Sequence, residues 1–433
     1  MQKTIVVLAV LLCASAALAQ FVERVVDLPD SSGPIALCYV PTVHKVYCCN
    51  ELTDSVSVID AATNSFIRSI PAGDRPYAMC YNSLNDRVYV ANHASNNVMV
   101  IDPATDIVVA TVAVGALPNE LCYNAAKNKV YSANYDGNSV SIINGATNTL
   151  IGTVGPLAAR FICSNSSGKK VFVTKLYQAY VIDGVLDALV DSFPVGELPH
   201  DIMCAPATNK LYLTDWVGPY VWVMDAGPDT LVTKVMVGAN VNSDGLCYNT
   251  HNNKVYCSTW ANSRVVVIDG ASDTVTTAIV VGTNPSALCY DSIHNKVYCA
   301  NYGDSVVHII GGATDSIVAA CTTGMGPVDF ACAPNLNKMF VANYLGSSIA
   351  VIRDTTPADI AELLHGSPSW AQPLPTIRRG PTPRVMAGAT LRDISGRKVA
   401  VLEQGVDYTS GLTPGVYFVC ESPQTVRKVI LIR

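Results

Sequence analysis

Charge is scarce in this chain. Only 14% of its 433 residues are Asp, Glu, Lys or Arg, the net charge is −6, and no run of Lys or Arg occurs. That argues against a nucleic-acid groove and against docking on an anionic membrane surface. Long apolar runs are also missing. After the first twenty residues no segment reaches the ~18 apolar residues a spanning helix needs, so no transmembrane segment is expected once that leader is removed. Catalytic signatures are absent: there is no Gly-x-Ser-x-Gly, no phosphate loop, no His-Glu-x-x-His and no Cys-x-x-Cys-His. The residues therefore call for no cofactor and no metal. What is abundant is apolar content, 50% of the chain, which suits a well-buried globular fold.

The leader reads as a secretory signal over residues 1–19. Lys3 supplies the positive start, Ile5 to Leu12 the apolar stretch, and Ala17-Leu18-Ala19 the small-residue cleavage site before Gln20. Leu12 stands before Cys13 where a lipoprotein site wants a small residue.

Cysteine sets the architecture. Cys38, Cys80, Cys122, Cys163, Cys204, Cys247, Cys289 and Cys332 follow one another at intervals of 42, 42, 41, 41, 43, 42 and 43 residues. A fixed period of this length marks a repeat fold. Each unit carries four short runs rich in Val, Ile and Tyr, bounded by Asn, Asp, Gly and Pro, as in Ala287 to Tyr290, Lys296 to Ala300, Ser305 to Ile310 and Ser316 to Thr322. A second landmark repeats in step, from Lys45-Val46-Tyr47 to Lys338-Met339-Phe340. Four antiparallel strands every ~40 residues describe a propeller blade. The predicted fold is all-β: an eight-bladed propeller over residues 20–353, with seven blades plus a degenerate unit as the alternative. The spare strand Val22 to Leu28 is expected to complete the last blade and close the ring.

Val88-Tyr89-Val90-Ala91-Asn92, followed by Val98-Met99-Val100-Ile101-Asp102-Pro103-Ala104-Thr105, resembles the YVTN family of β-propeller repeats. The resemblance recurs eight times over residues 21–353 and implies a secreted or surface propeller. It carries no function with it.

Six prolines fall within residues 354–384, which read as a linker with a helical turn at Ala358 to Leu364. Beyond it, residues 385–433 alternate like a small β-sandwich. Leu391-Arg392-Asp393-Ile394-Ser395-Gly396-Arg397, Gly415-Val416-Tyr417-Phe418 and Val426-Arg427-Lys428-Val429-Ile430 resemble the type A C-terminal sorting domain of the type IX secretion system. The resemblance implies the secretion machinery as a partner and an extracellular or outer-surface location on a Gram-negative-type bacterium. The Asn-Pro pair often found at the start of such a domain is replaced by Pro381-Thr382-Pro383.

The repeated cysteines fit packing better than metal binding, because thiolates sharing one zinc approach it to ~2.3 Å whereas stacked sheets lie ~10 Å apart. Three units add a second cysteine: Cys38 with Cys48, Cys247 with Cys257, and Cys289 with Cys299. If Tyr290 faces Tyr298 across the hairpin, Cys289 faces Cys299 at a distance a disulfide can bridge. His44, His251 and His294 fall in turns expected to be solvated, and His308 in a third strand.

The opposite, axial face varies while its surroundings repeat, as a binding face on a rigid scaffold does. Directly after the second strand stand Glu51, His93, Tyr135, Leu176, Trp216, Trp260, Tyr302 and Tyr344. Three residues before each cysteine stand Ile35, Tyr77, Asn119, Arg160, Asp201, Asp244, Ser286 and Asp329, with His200 beside Asp201. Aromatic rims with adjacent acids suit glycans, peptides, protein surfaces or cations. The same aromatics also suit a plain role capping the blade ends. Two further readings stay open. One is a structural surface-layer protein. The other is a propeller enzyme, lactonase-like or quinoprotein-like, with His200, Asp201, Asp244 and Arg160 as acid, base and anion-binding groups.

Overall fold

In the computed structural model the described residues are 20–239, 241–354 and four backbone strands beyond residue 389. The expected leader and linker lie outside them, as does the helical turn at 358–364. The chain divides into two compact units, 1–360 and 361–433.

The first unit contains eight four-stranded antiparallel sheets. Blades 1 to 7 occupy residues 34–71, 76–113, 118–154, 162–194, 199–236, 243–280 and 285–322. In each the first strand in sequence lies innermost and the fourth outermost. Blade 8 is assembled from both ends of the unit. Its three inner strands come from 327–353, and its outer strand is Phe21–Asp27, paired Val26 to Ile349 and Val22 to Ile352. The ring therefore closes as expected, and one apolar cluster joins Val26 and Val351 of blade 8 to Val46 and Ile59 of blade 1. The second strands are almost wholly buried, as in Arg87–Asn92, because both faces pack on neighbouring blades. The outermost strands, such as Ala188–Pro194, are mostly exposed.

The Lys-Val-Tyr landmark is a clasp between blades. Lys45 Nζ donates to Asp106 Oδ2 at 2.8 Å and Tyr47 OH to Asp106 Oδ1 at 2.5 Å, so blade 1 grips a turn of blade 2. The contact repeats as Lys129 to Asp187, Lys170 to Asp229, Lys210 to Asp273, Lys254 to Asp315 and Lys296 to Asp354. At two junctions an amide replaces the acid: Tyr89 OH donates to Asn148 at 2.5 Å, and Lys338 Nζ to Asn64 at 2.7 Å. At seven of the eight units the residue before the lysine or arginine turns the chain at positive φ, as His44, Asp86, Asn128, Asn209, Asn253, Asn295 and Asn337 do; before Lys170 the turn falls one place earlier, at Gly168. Asn and Asp tolerate this conformation best among residues with a side chain.

Two expectations require correction. The hairpin register is one residue away from the one that would face Cys289 with Cys299: Cys289 opposes Tyr298, and Leu288 opposes Cys299. The same offset places Cys38 opposite Tyr47 and Cys247 opposite Tyr256, leaving Cys48 and Cys257 opposite leucines. A one-residue slip turns a side chain to the other face. Accordingly Cys289 packs in the cluster with Tyr298 and Cys299 in the one with Tyr256. All thirteen described cysteines are free thiols. His294 is not solvated either. Its side chain is 4% exposed and its Nδ1 lies 2.7 Å from Asp291 Oδ2.

In the second unit the described strands Thr390–Asp393, Lys398–Val401, Gly415–Ser422 and Thr425–Ile432 form one antiparallel sheet. The remainder of the expected sandwich lies outside the described residues. Among the described residues no helix is long and apolar enough to cross a membrane.

Candidate functional site

The axial face is built from two loops per blade. The backbone N–H following the second strand donates to a carbonyl in the loop leading to the first strand. Examples are Tyr135 to Leu117 at 2.9 Å, Trp260 to Asn242 at 3.0 Å, Tyr302 to Asn284 at 3.0 Å and Tyr344 to Gly326 at 2.8 Å. Leu117, Asn242, Asn284 and Gly326 all have positive φ, which aims each carbonyl back at the aromatic's backbone. Asn242 adds a side-chain bond to Trp216 O at 2.8 Å.

This scaffold brings together part of the expected set. Ring centroids run from Phe161 to His200 (5.2 Å), His200 to Trp216 (4.7 Å), Trp216 to Trp260 (6.0 Å) and Trp260 to Tyr302 (5.6 Å). The result is a continuous half-buried aromatic arc across blades 4 to 7. His200 Nδ1 lies 2.8 Å from Asp244 Oδ1, which fixes the imidazole within the arc. Arg160 ends the arc, its guanidinium 5.2 Å from the Phe161 centroid.

Other expected residues are engaged elsewhere. Tyr344 OH donates to Glu51 at 2.9 Å, and Glu51 is also held by Arg75. Exposed Tyr135 lines a cavity of about 170 Å³ with Asp136, Lys175, Leu176 and Arg160, the residue that ends the arc. Asp201 and Asp329 sit lower, on the innermost strands, where they stitch blades together. Asp201 accepts from Leu246 N at 2.8 Å and Ile202 N at 2.7 Å, and Asp329 accepts from Leu37 N at 2.7 Å.

Sequence reasoning missed Phe161, although it adjoins Arg160. It also missed Glu120, which does for blades 3 and 4 what Asp201 and Asp329 do elsewhere: its Oε2 accepts from Ile162 N at 2.7 Å. Glu120 lies two residues before its cysteine rather than three, next to the register shift between Pro118 and Glu120. Burial pushes its carboxyl up to about 8, with the nearby Asp201 adding to the effect. Burial likewise lifts Asp329 to about 7 and Asp201 to about 6, against the lowering effect of their backbone donors.

On the opposite face, Asp291, His294 and Asp354 bring ligand-type atoms within 4.8 Å of one another. Asp354 already accepts from Lys296 at 2.5 Å, Tyr298 at 2.7 Å and Gln20 at 3.0 Å. A carboxylate so occupied belongs to the clasp between blades 7 and 8. His308, in its third strand, lies 2.9 Å from Asn301 Nδ2 through its Nδ1.

A family model described as a YNCE-like β-propeller matches residues 1–140. No curated protein matches the chain. Similar solved structures include Sqt1 of Saccharomyces cerevisiae, at 12% identity and TM-score 0.67 over 78% of this chain and 99% of that one. Hydrazine synthase of Kuenenia stuttgartiensis matches at 18% and 0.54, over 75% and 97%. The computationally designed Ika8 protein matches at 14% and 0.61, over 75% and 98%. At these identities the likeness speaks for fold and leaves the chemistry to the residues. The chain is an eight-bladed β-propeller built from sequence repeats.

Proposed function

We propose that this propeller is an exported recognition module whose ligand seats on the axial face, over the arc from Phe161 to Tyr302. The observation that carries the reading is the run of four consecutive ring contacts, 4.7 to 6.0 Å between centroids, with Asp244 beside it. Flat aromatic surface next to a carboxylate suits a glycan, a peptide or a cationic group. Export rests on the signal-like residues 1–19 and on the sorting-domain resemblance of residues 385–433. Both support a location outside a Gram-negative-type cell and delivery by a type IX-like route.

The test is a fluorescence titration of the full chain against glycans, peptides and amine cations, with Trp216→Ala and Trp260→Ala beside it. A saturable change in the parent that both variants lose supports the reading. No response to any of the three classes overturns it.

A second reading, a structural surface-layer protein, is favoured by one observation. The outer strands expose Ile67, Val109, Ile151, Val190, Val232 and Val318 around the rim. It predicts concentration-dependent self-association in sedimentation velocity, unaffected by Trp216→Ala.

A further inference from the structure

Blade 4 is where the ring departs from its own repeat. The other seven blades have an innermost strand of seven residues, whereas that of blade 4 is only Ile162–Ser164. The residues ahead of it, 157–161, run as loop. Arg160 is held in that loop all the same. Its N–H donates to Thr174 O at 2.9 Å, and its own carbonyl accepts from Asn119 Nδ2 at 3.0 Å. Thr174 N in turn donates to Phe161 O at 2.9 Å. These bonds set Arg160 beside the end of the second strand, Lys170–Lys175.

Lys175 is the second departure. In the other blades the last residue of the second strand is Asn, except for Asp215 in blade 5 and Thr259 in blade 6. There it is buried and ties off the blade's end, as Asn134 does through Ser139 and Ser141. Lys175 is half-buried and makes no such tie. Among the described residues neither Lys175 nor Arg160 is in an ion pair. Both line the cavity of about 170 Å³ at the junction of blades 3 and 4, with the exposed Asp136 on the same wall. Two cations against one carboxylate leave the cavity positive.

The volume decides what can enter. A site that encloses a whole small ligand runs to ~300–1,000 Å³, so this one takes a charged substituent while the rest of its ligand lies outside. The adjoining surface is the aromatic arc, which begins at Phe161, 5.2 Å from the Arg160 guanidinium. Building on the reading that this arc is the ligand face, we infer that the ligand is an acidic saccharide of the uronate type. A sugar ring stacks on Phe161 and His200 while its carboxylate enters the cavity and accepts from Arg160 and Lys175. A planar guanidinium matches a carboxylate in two parallel hydrogen bonds. An extended peptide would instead gain its affinity by pairing with a free strand edge. The sheets turn their edges to the channel and the rim, leaving only strand ends at the axial face.

The experiment is a calorimetric titration of the full chain with tetragalacturonate and with its methyl ester, which keeps the sugar backbone and removes the charge. The acid should bind about tenfold more tightly, and its advantage should shrink as salt is raised. Arg160→Gln with Lys175→Gln should abolish the advantage and leave the ester's affinity unchanged. The comparison of acid with ester on the unmutated protein is independent of variant folding. Equal affinity for the two, no binding of either, or tighter binding of a glutamate oligomer overturns the inference. Trp216→Ala separates this inference from the reading beneath it. Equal binding of acid and ester that Trp216→Ala abolishes keeps the arc and removes the anion site. A preference for the acid that Trp216→Ala leaves at full affinity keeps the anion site and overturns the arc.

Discussion

Replacing Asp106 tests whether the inter-blade clasp holds the ring together. Its carboxylate accepts from Lys45 Nζ and from the buried Tyr47 OH, and the ion pair is largely shielded, with side-chain exposures of 17% for Lys45 and 8% for Asp106. Removing one partner of a buried pair costs about 3–5 kcal/mol, and Lys45 keeps a bond to Pro103 O at 2.9 Å, so the lower end applies. Asp106 also sits at φ 57°, where alanine adds about 1–2 kcal/mol of backbone strain and glycine adds none. The expected costs are about 3 kcal/mol for Asp106→Gly and about 4 kcal/mol for Asp106→Ala. Asp106→Asn should cost only about 1 kcal/mol, because asparagine still accepts from Tyr47 and occupies the same place at Asn148 and Asn64. Denaturant midpoints at constant slope read these differences. A Tyr47→Phe cycle isolates the hydroxyl's share through its coupling to Asp106. Equal loss in the Asn and Gly variants would refute the argument that an acceptor, rather than a charge, is what this position requires.

Three further outcomes follow from the structure. Glu120, Asp329 and Asp201 hold protons to about 8, 7 and 6, whereas an unfolded carboxyl releases its proton near ~4. Between those limits the folded state binds more protons, so unfolding free energy should fall as pH rises from about 4 to about 8. Glu120→Gln should flatten that fall, most clearly between pH 7 and 8, in denaturation curves taken across the range. A methyl group at Gly312 would meet Asn295 Oδ1 and Asn249 Nδ2, which are themselves hydrogen-bonded at 2.8 Å. Gly312→Ala should therefore destabilise by about 1–3 kcal/mol in thermal melts, while Gly152→Ala, with only Ile142 Cδ1 near at 3.8 Å, should be close to neutral. Finally, alkylation of the denatured protein without reductant should label Cys38, Cys48, Cys247, Cys257, Cys289 and Cys299 completely, as peptide mass spectra would read.

The blade count, the closing strand and the positions on the axial face were all legible from one repeated sentence of sequence. Periodicity reports what each unit shares. Partnerships between units were not legible. Lys45 and Asp106 lie 61 residues apart, and nothing local says that one grips the other. Strand register failed for a related reason. The turn closes on Asp291 opposite Lys296, one residue from the expected alignment, and that slip alone separates Cys289 from Cys299. At the candidate site, Trp216 and Trp260 were found because their position varies within a constant frame. Glu120 was missed because a shift in strand pairing moved it one place along.

The ring's seam, where Phe21–Asp27 completes the blade begun by Pro327–Ala333, orders events in time. Of the propeller's own strands, the one made earliest is the last to find its place. Some three hundred residues must be made before its partner Ser348–Arg353 exists. Until then the opening segment has no docking site, and the growing array ends in open blades. The closed ring therefore cannot form during synthesis of its own first seven blades. A chain interrupted before residue 348 would leave its opening strand free to complete the eighth blade of another molecule.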